Sequence, residues 1–378
     1  MRNNMIDKKG DRFIFPLNGK INLSPFLVVL LLNGVVSFLH AIWTADDPTI
    51  PWTLLTINFL FYTGIAQAAI TFSAIMRITK AEWGTPFSRM GEMITLSSAP
   101  VSLLLFIAIY AGGVNHLFYW TSEDSTRPFF WINILAMGGF YIASYLYFTA
   151  GRLKEEGGEV SCDIEKRLNI LAALLLTSYL ILQTSLAWYF GMTIIPDWES
   201  STFPPYYWVG NIFAGTAFLF ILSLLFPGLQ GSGNMSKSVR AMGKLLLGYT
   251  LLWIYMFWAQ FIVIWYGDIP RLTEPLLRPM RGNYRLIFSI MIITAFILPF
   301  LFLMQRRVRA SSGAIATVAV MICTGIWLNR YLMLIPLFSD GSRSAALTWT
   351  GLSLIGAGLA ATFLPIMALL RLYLPPSR

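Results

Sequence analysis

The chain has 378 residues, of which 56% are hydrophobic and only 12% are charged, and its formal net charge is +9. Soluble proteins carry about twice that share of charged residues. The composition therefore excludes an ordinary soluble globular protein and indicates a polytopic membrane protein. The two cysteines show no CxxC or zinc-type spacing.

Ten apolar segments are long enough to cross a bilayer as helices, which takes about 20 residues each. No loop between them is long enough for a soluble domain, so the predicted fold is all-α, with ten transmembrane helices. In chain order the predicted spans cover 22–44, 52–77, 87–111, 128–151, 167–190, 206–226, 239–265, 283–304, 312–336 and 345–372.

Basic residues concentrate on one side of these spans. With the N-terminus placed in the cytoplasm, 20 of the 27 Lys and Arg residues fall on the inner side, whereas the acidic residues divide evenly. A basic excess in cytoplasmic loops is the usual topology signal. We therefore expect a multi-pass protein of the bacterial inner membrane with both termini in the cytoplasm. The positive charge does not indicate nucleic-acid binding.

Amide side chains inside the predicted spans are few. Because such groups are costly in a bilayer, we expect them to form hydrogen bonds between helices. The amides concerned are Asn58, Gln67, Asn133, Gln183, Gln260 and Asn329.

Two ionisable groups in the predicted spans allow two interpretations each. Glu92 either pairs with Arg89 or Arg77 or admits protons from the inner side, along a path continued by Thr95, Ser98 and Gln67 through bridging water. Arg330, in span 9, is either a structural charge clamp or a catalytic group. In either role it needs a counter-charge, and the candidates are the outer acids Asp197, Glu199 and Asp268.

The two histidines, His40 and His116, limit the redox chemistry. A membrane cytochrome b with two haems needs four axial ligands, usually His. Two histidines exclude that arrangement for His ligation. We expect no haem and no redox metal in this subunit.

Several segments resemble a known membrane-subunit family. They are "NFLFYTGIAQAAITFSAIMRI" in span 2, "WESSTFPPYYWVGNIFAG" before span 6, "WAQFIVIWYGDIPRLTEPLLRPMRGNY" and "RRVRASSGAIATVAVMICTGIWLNRYLMLIPLF". They are similar to the polysulfide-reductase membrane subunits of the NrfD type. More closely, they resemble the large membrane subunits of alternative complex III, a quinol:cytochrome c oxidoreductase, and most of all the second of these.

The resemblance implies two four-helix bundles, formed by spans 2–5 and spans 6–9. It also implies quinone as ligand, and as partners an iron–sulfur subunit, multi-haem cytochrome c subunits and a paralogous membrane subunit. The expected segments are a cytoplasmic tail (1–21), the first helix and loop (22–51), the first bundle (52–190), an outer loop (191–205), the second bundle (206–336) and the tenth helix with the tail (337–378).

Two positions depart from the family pattern. Gln67 stands where some members have His, and Asn133 lies near where others have Asp. Without these titratable groups, proton conduction or scaffolding is favoured over quinol chemistry, which agrees with the second-subunit assignment.

Two functional hypotheses follow for a subunit of a quinol-oxidising electron-transfer complex. His40, Asn58 and Gln67 are the candidate quinone-binding residues, because a quinone ring needs an apolar slot with polar groups at its oxygens. Glu92, Thr95 and Ser98 on the inner side, and Asp197, Glu199 and Asp268 on the outer side, are the candidate proton pathway. The alternatives are a secondary transporter and a structural anchor for iron–sulfur and cytochrome c subunits.

Overall fold

The computed structural model describes residues 23–121, 123–156, 162–226, 235–267, 269–339, 341 and 348–373. Throughout these ranges the secondary structure is helical and contains no strand. Ten of the described helices are long and apolar enough to cross a membrane. The predicted all-α fold with ten spans is confirmed.

The spans are numbered 1 to 10 along the chain. Their bounds are Ser24–Thr44, Thr49–Ile78, Glu82–Leu117, Thr126–Leu153, Asp163–Met192, Phe203–Leu225, Met235–Gly267, Gly282–Met304, Ser312–Phe338 and Trp349–Ala368. The end with the loops after spans 1, 3 and 5, which include Trp120 and Trp198, is called the aromatic end. The opposite end, which holds residues 79–81 and 305–311, is called the basic end.

The spans pack as two rings and a flanking pair. Spans 2, 3, 4 and 5 contact one another in order and close the first ring, and spans 6, 7, 8 and 9 close the second. Spans 2 and 5 of the first ring face spans 6 and 9 of the second. Spans 1 and 10 pack mainly against each other, with an Asn33–Ser353 hydrogen bond of 2.8 Å between them, and lie against spans 2 and 3.

Span 2 is the central helix of the described fold. In its most apolar stretch 94% of the residues are buried, compared with 17% in span 1. Close contact with span 6 depends on small residues, which let helix backbones approach in a membrane. A Cβ atom on Gly64 would lie 2.7 Å from Asn211 Nδ2, and one on Gly215 would lie 2.7 Å from the Ala68 Cβ.

Spans 2 and 3 approach closely enough for a side chain to enter the backbone ladder of span 2. Thr95 Oγ1 donates to Ala66 O at 2.6 Å and accepts from the Ile70 N–H at 3.1 Å. A regular α-helix would join those two backbone groups directly. Gly91, one turn earlier in span 3, leaves room for this contact, because its Cβ position is only 2.3 Å from Ala69 O.

We predict that Gly91→Ala destabilises the protein. The added methyl group would overlap Ala69 O, and overpacking costs about 1–3 kcal/mol. That cost exceeds the helix-propensity gain of about 1 kcal/mol. Thermal unfolding in detergent, followed by size-exclusion chromatography, measures the effect as a lower Tm.

Gly138→Ala in span 4 is the matched control, because nothing lies within 4 Å of its Cβ position. It should leave the Tm unchanged or raise it. Equal Tm values for the two variants would contradict the close contact between spans 2 and 3.

Candidate functional site

Hydrogen-bonded side chains cross from the first ring into the second. Gln67 Nε2 donates to the Tyr141 hydroxyl at 3.0 Å, and Gln183 Nε2 donates to Gln67 Oε1 at 2.7 Å. Asn211 Nδ2 donates to Gln183 Oε1 at 2.8 Å, and Arg330 Nη2 donates to Asn211 Oδ1 at 3.0 Å. All five side chains are buried. We call this series the polar chain; it links spans 4, 2, 5, 6 and 9.

The polar chain confirms the predicted interhelical bonding of Gln67 and Gln183. Asn133 also bonds to a neighbouring span, accepting from Ser185 Oγ at 2.9 Å. Sequence reasoning missed Asn211, although an amide inside an apolar segment is the same signal that identified the other amides. It also missed Tyr141, since a tyrosine in a span gives no comparable signal.

Arg330 is completely buried and has neutral partners. Besides Asn211, it donates to Tyr207 O at 2.8 Å and to Asn329 Oδ1 at 3.1 Å. Its guanidinium carbon lies 4.0 Å from the centre of the Tyr207 ring, at cation–π distance. Asn329 Nδ2 in turn donates to the Tyr206 hydroxyl.

The prediction that Asp197 or Glu199 supplies the counter-charge for Arg330 is therefore wrong. Within the described ranges no carboxylate pairs with Arg330, and both acids are exposed in the loop after span 5. Asp268, the third candidate, lies outside the described residues. The buried charge is stabilised by oriented amide and carbonyl dipoles, which is the other way to compensate burial of a cation.

Turn geometry gives a physical reason for an acid at position 197. The Trp198 N–H donates to Ile195 O at 3.3 Å, and Asp197 adopts a positive φ of 53°. Aspartate tolerates this left-handed conformation better than most residues. The turn directs Trp198 into the core, where its indole N–H donates to Leu272 O at 3.1 Å.

A cavity of about 240 Å³ lies between the first ring and the flanking pair. We call it the flank cavity. Its walls are mostly aliphatic and aromatic, from spans 1, 2, 3 and 10. Its polar residues are Asn58, Tyr62, Thr63, Ser98, Ser102 and Thr362.

The polar wall of the flank cavity reaches the polar chain. Thr63 Oγ1 donates to Ser102 Oγ at 3.2 Å. The Tyr141 hydroxyl, which accepts from Gln67, also faces the hydroxyls of Ser98 and Ser102. The flank cavity thus lies one side chain away from the buried amides.

The structure separates the three candidate quinone residues. Asn58 lines the flank cavity, and its amide is held by Leu54 O at 2.8 Å and by the Trp327 indole N–H at 3.2 Å. Gln67 belongs to the polar chain behind Tyr141. His40 is exposed on span 1 and does not line the cavity.

The interior of the first ring is filled with phenylalanine toward the aromatic end. Phe59 packs on Phe106 and Phe190 with ring centres 6.3 and 5.8 Å apart, and Phe129 packs on Phe190 at 5.6 Å. All four rings are buried. A planar ligand therefore fits on the flank of the ring and not in this part of its interior.

A polar cavity of about 620 Å³ opens at the basic end, and we call it the vestibule. Glu92 Oε1 accepts from Ser73 Oγ at 2.6 Å, and Ser73 shares a 3.1 Å hydrogen bond with the Tyr147 hydroxyl. Arg77 Nε donates to the same hydroxyl at 3.1 Å. Two hydroxyls thus bridge the carboxylate and the guanidinium.

Thr95 and Ser98 do not continue hydrogen bonding from the vestibule. The Thr95 hydroxyl is occupied by the backbone of span 2, and Ser98 Oγ donates to Thr95 O at 2.9 Å. Between Tyr147 and Tyr141, span 4 rises about 9 Å at 1.5 Å per residue. The only buried polar side chain on that stretch, Ser144, donates to Phe140 O in its own helix.

Across the described residues, no three His, Cys, Asp or Glu side chains come together to hold a metal ion. The expectation that this subunit carries neither haem nor metal stays a prediction.

A protein-family model described as "Polysulphide reductase, NrfD" matches residues 43–338. The chain belongs to this family. NrfD proteins are membrane subunits of quinone-interacting redox complexes, and they partner with iron–sulfur subunits. The search of curated proteins found no match. The family match favours a redox subunit over the secondary transporter. The matched region leaves out most of spans 1 and 10, which form part of the flank cavity wall.

We predict that Arg330→Lys destabilises the protein although the charge is kept. A lysine cannot make the forked contacts to Asn211, Asn329 and Tyr207 O together. Hydrogen bonds to charged groups contribute about 1.5–3 kcal/mol each, so we expect a loss of about 2–4 kcal/mol. Equilibrium unfolding in mixed micelles measures it.

Arg307→Lys, an exposed arginine at the basic end, serves as control and should change stability little. If the two variants unfold alike, the neutral amide partners do not hold Arg330 as described.

Proposed function

We propose that this chain binds the quinone headgroup in the flank cavity, as a membrane subunit of a quinol-oxidising complex of the alternative complex III type. The observation that carries the proposal is the cavity itself, which has mostly apolar walls and a few polar lining residues, among them Thr63, Ser98 and Ser102. Quinone sites need this combination, because the ring and tail are apolar and the two ring oxygens require hydrogen-bond partners.

The polar wall supplies partners for a ring oxygen. The hydroxyls of Thr63 and Ser98 already donate within the protein and can accept, whereas the Ser102 hydroxyl, which accepts from Thr63, has its own proton to donate. A proton released when quinol is oxidised would pass first to one of these hydroxyls or to Tyr141. The two electrons released with the two protons go to a redox centre of the partner subunit.

The partners we propose are an iron–sulfur subunit and multi-haem cytochrome c subunits at the aromatic end, and a paralogous membrane subunit. The basic end faces the cytoplasm of a bacterial inner membrane, and both termini lie there. The excess of Lys and Arg at that end supports this orientation.

We predict that Ala361→Phe, which adds a ring to the cavity wall on span 10, lowers quinol oxidation by the complex at least tenfold. The larger side chain occupies space that the quinone ring needs. Steady-state assays with decylubiquinol and an added electron acceptor measure kcat and KM. Assembly of the complex, judged by its subunit composition, should be unchanged.

Leu359→Phe is the matched control, since this exposed residue of the same span does not line the cavity. It should retain full activity. Equal activity of the two variants, with both complexes intact, would reject the quinone site and leave the anchor hypothesis.

We also propose that the vestibule admits protons from the cytoplasm. Glu92 is half-buried there and bonded to Ser73, so it can exchange protons with water in the vestibule. The proposed outlets are Asp197 and Glu199, which line a cavity of about 390 Å³ at the aromatic end. Asp268, which lies outside the described residues, is proposed as a third outlet.

We predict that Glu92→Gln lowers proton uptake in vesicles reconstituted with the complex, with a smaller effect on electron transfer. Glutamine keeps the hydrogen bond to Ser73 but cannot exchange a proton. The proton-to-electron ratio is the measured quantity.

Glu82→Gln in the same vestibule is the control, because Glu82 is exposed and should leave the ratio unchanged. An unaltered ratio in Glu92→Gln would exclude Glu92 as the entry group.

A further inference from the structure

A second cavity, of about 80 Å³, lies inside the second ring beneath the loop after span 5. Rings surround it: Trp198, Phe203, Tyr206, Phe257, Phe261 and Phe288 all line it. It is separate from the flank cavity and shares no lining residue with it. The volume exceeds several-fold the roughly 10–15 Å³ that one water molecule needs.

Gln260 lines this cavity and has no partner. Its side chain is 1% exposed, its Nε2 makes no hydrogen bond, and no other hydrogen bond of Gln260 occurs in the described part of the chain. The prediction that this amide forms an interhelical hydrogen bond is therefore wrong. A buried amide donor without an acceptor is costly. An acceptor brought by a ligand would remove that cost.

Two further polar residues, on spans 6 and 9, line the same cavity. Asn329 Nδ2 donates to the Tyr206 hydroxyl, and both residues line the cavity. Asn329 Oδ1 accepts from Arg330, which is the last residue of the polar chain, so the cavity lies next to that end of the chain. A flat ligand between the rings would meet the amide of Gln260 on span 7 and the hydroxyl of Tyr206 on span 6.

The open side of the cavity is apolar. Its half-buried lining residues include Phe261, Leu276, Pro279 and Phe288. They belong to spans 7 and 8 and to the short segment between them. An isoprenoid tail could leave through such an opening without exposing polar backbone.

We propose that this cavity is a second binding site for a quinone headgroup, with one ring oxygen accepting from Gln260 and the other facing Tyr206 and Asn329. The ligand class rests on the proposed function, since a quinone is the planar, two-acceptor, tailed molecule that such a complex handles. The aromatic walls stack on its ring, where offset contacts between rings are favourable. The second site is a binding site, and no electron transfer is assigned to it.

The test is the quinone content of the intact purified complex, extracted and quantified per copy of this chain, and then after titration with decylubiquinone. Gln260→Leu should lower the content by one quinone and weaken the corresponding decylubiquinone binding at least tenfold. Met333→Phe, which fills the same cavity from span 9, should have the same effect. Because it is an independent substitution, it tests the site even if Gln260→Leu fails to fold.

Gln305→Leu, an exposed glutamine at the basic end, is the matched control and should retain all quinone. Ala361→Phe should remove a different quinone, that of the flank cavity. If Ala361→Phe loses quinone but Gln260→Leu and Met333→Phe do not, the second site is overturned and the proposed function stands. If only the Gln260 and Met333 variants lose quinone, the second site stands and the flank-cavity proposal fails.

Discussion

A guanidinium held by neutral dipoles at the junction of two helix rings is the constraint on which much of the described structure depends. Arg330 is fully buried, so its charge requires oriented oxygen atoms in fixed places. Asn211, Asn329 and the Tyr207 carbonyl provide them. Asn211 is in turn fixed by Gln183, and Gln183 by Gln67, so one charge specifies the positions of amides on three other helices. Gly64, whose hydrogen faces Asn211, lets spans 2 and 6 come close enough for this.

Other intramembrane polar groups include some that line no cavity and a second group that lines one. Thr95 and Asn133 have their hydrogen bonds filled by backbone or by a neighbouring side chain. The second group comprises the hydroxyls of Thr63 and Ser98 in the flank cavity, which already donate within the protein, and Gln260 in the second cavity, which makes no hydrogen bond. Because a bilayer offers no water to compensate an unpaired group, this second class is where ligand chemistry is expected. The two cavities stand at opposite ends of the polar chain, one in each half of the molecule.

The family match covers the two rings but not most of the flanking pair, and the flank cavity lies between these two parts. Residues 43–338 contain both rings, whereas most of spans 1 and 10 lies outside that range. These two helices adhere chiefly to each other, through Asn33–Ser353 and close packing at Gly34 and Ala357. They close the flank cavity from the lipid side. Access to its polar wall therefore depends on how tightly the flanking pair rests on spans 2 and 3.

The sequence by itself determined the all-α fold, the ten spans and the amides in them, because hydropathy and length are local properties of a segment. It also identified Arg330 as a buried charge that needs compensation. Only the tertiary structure decided the compensation, since Arg330 meets Tyr207 and Asn211 across 123 and 119 residues of chain, and helical periodicity gives a face but not its neighbour. The same holds for Asp197, whose turn geometry and exposure no composition could reveal, and for Gln260, which was expected to bond and does not.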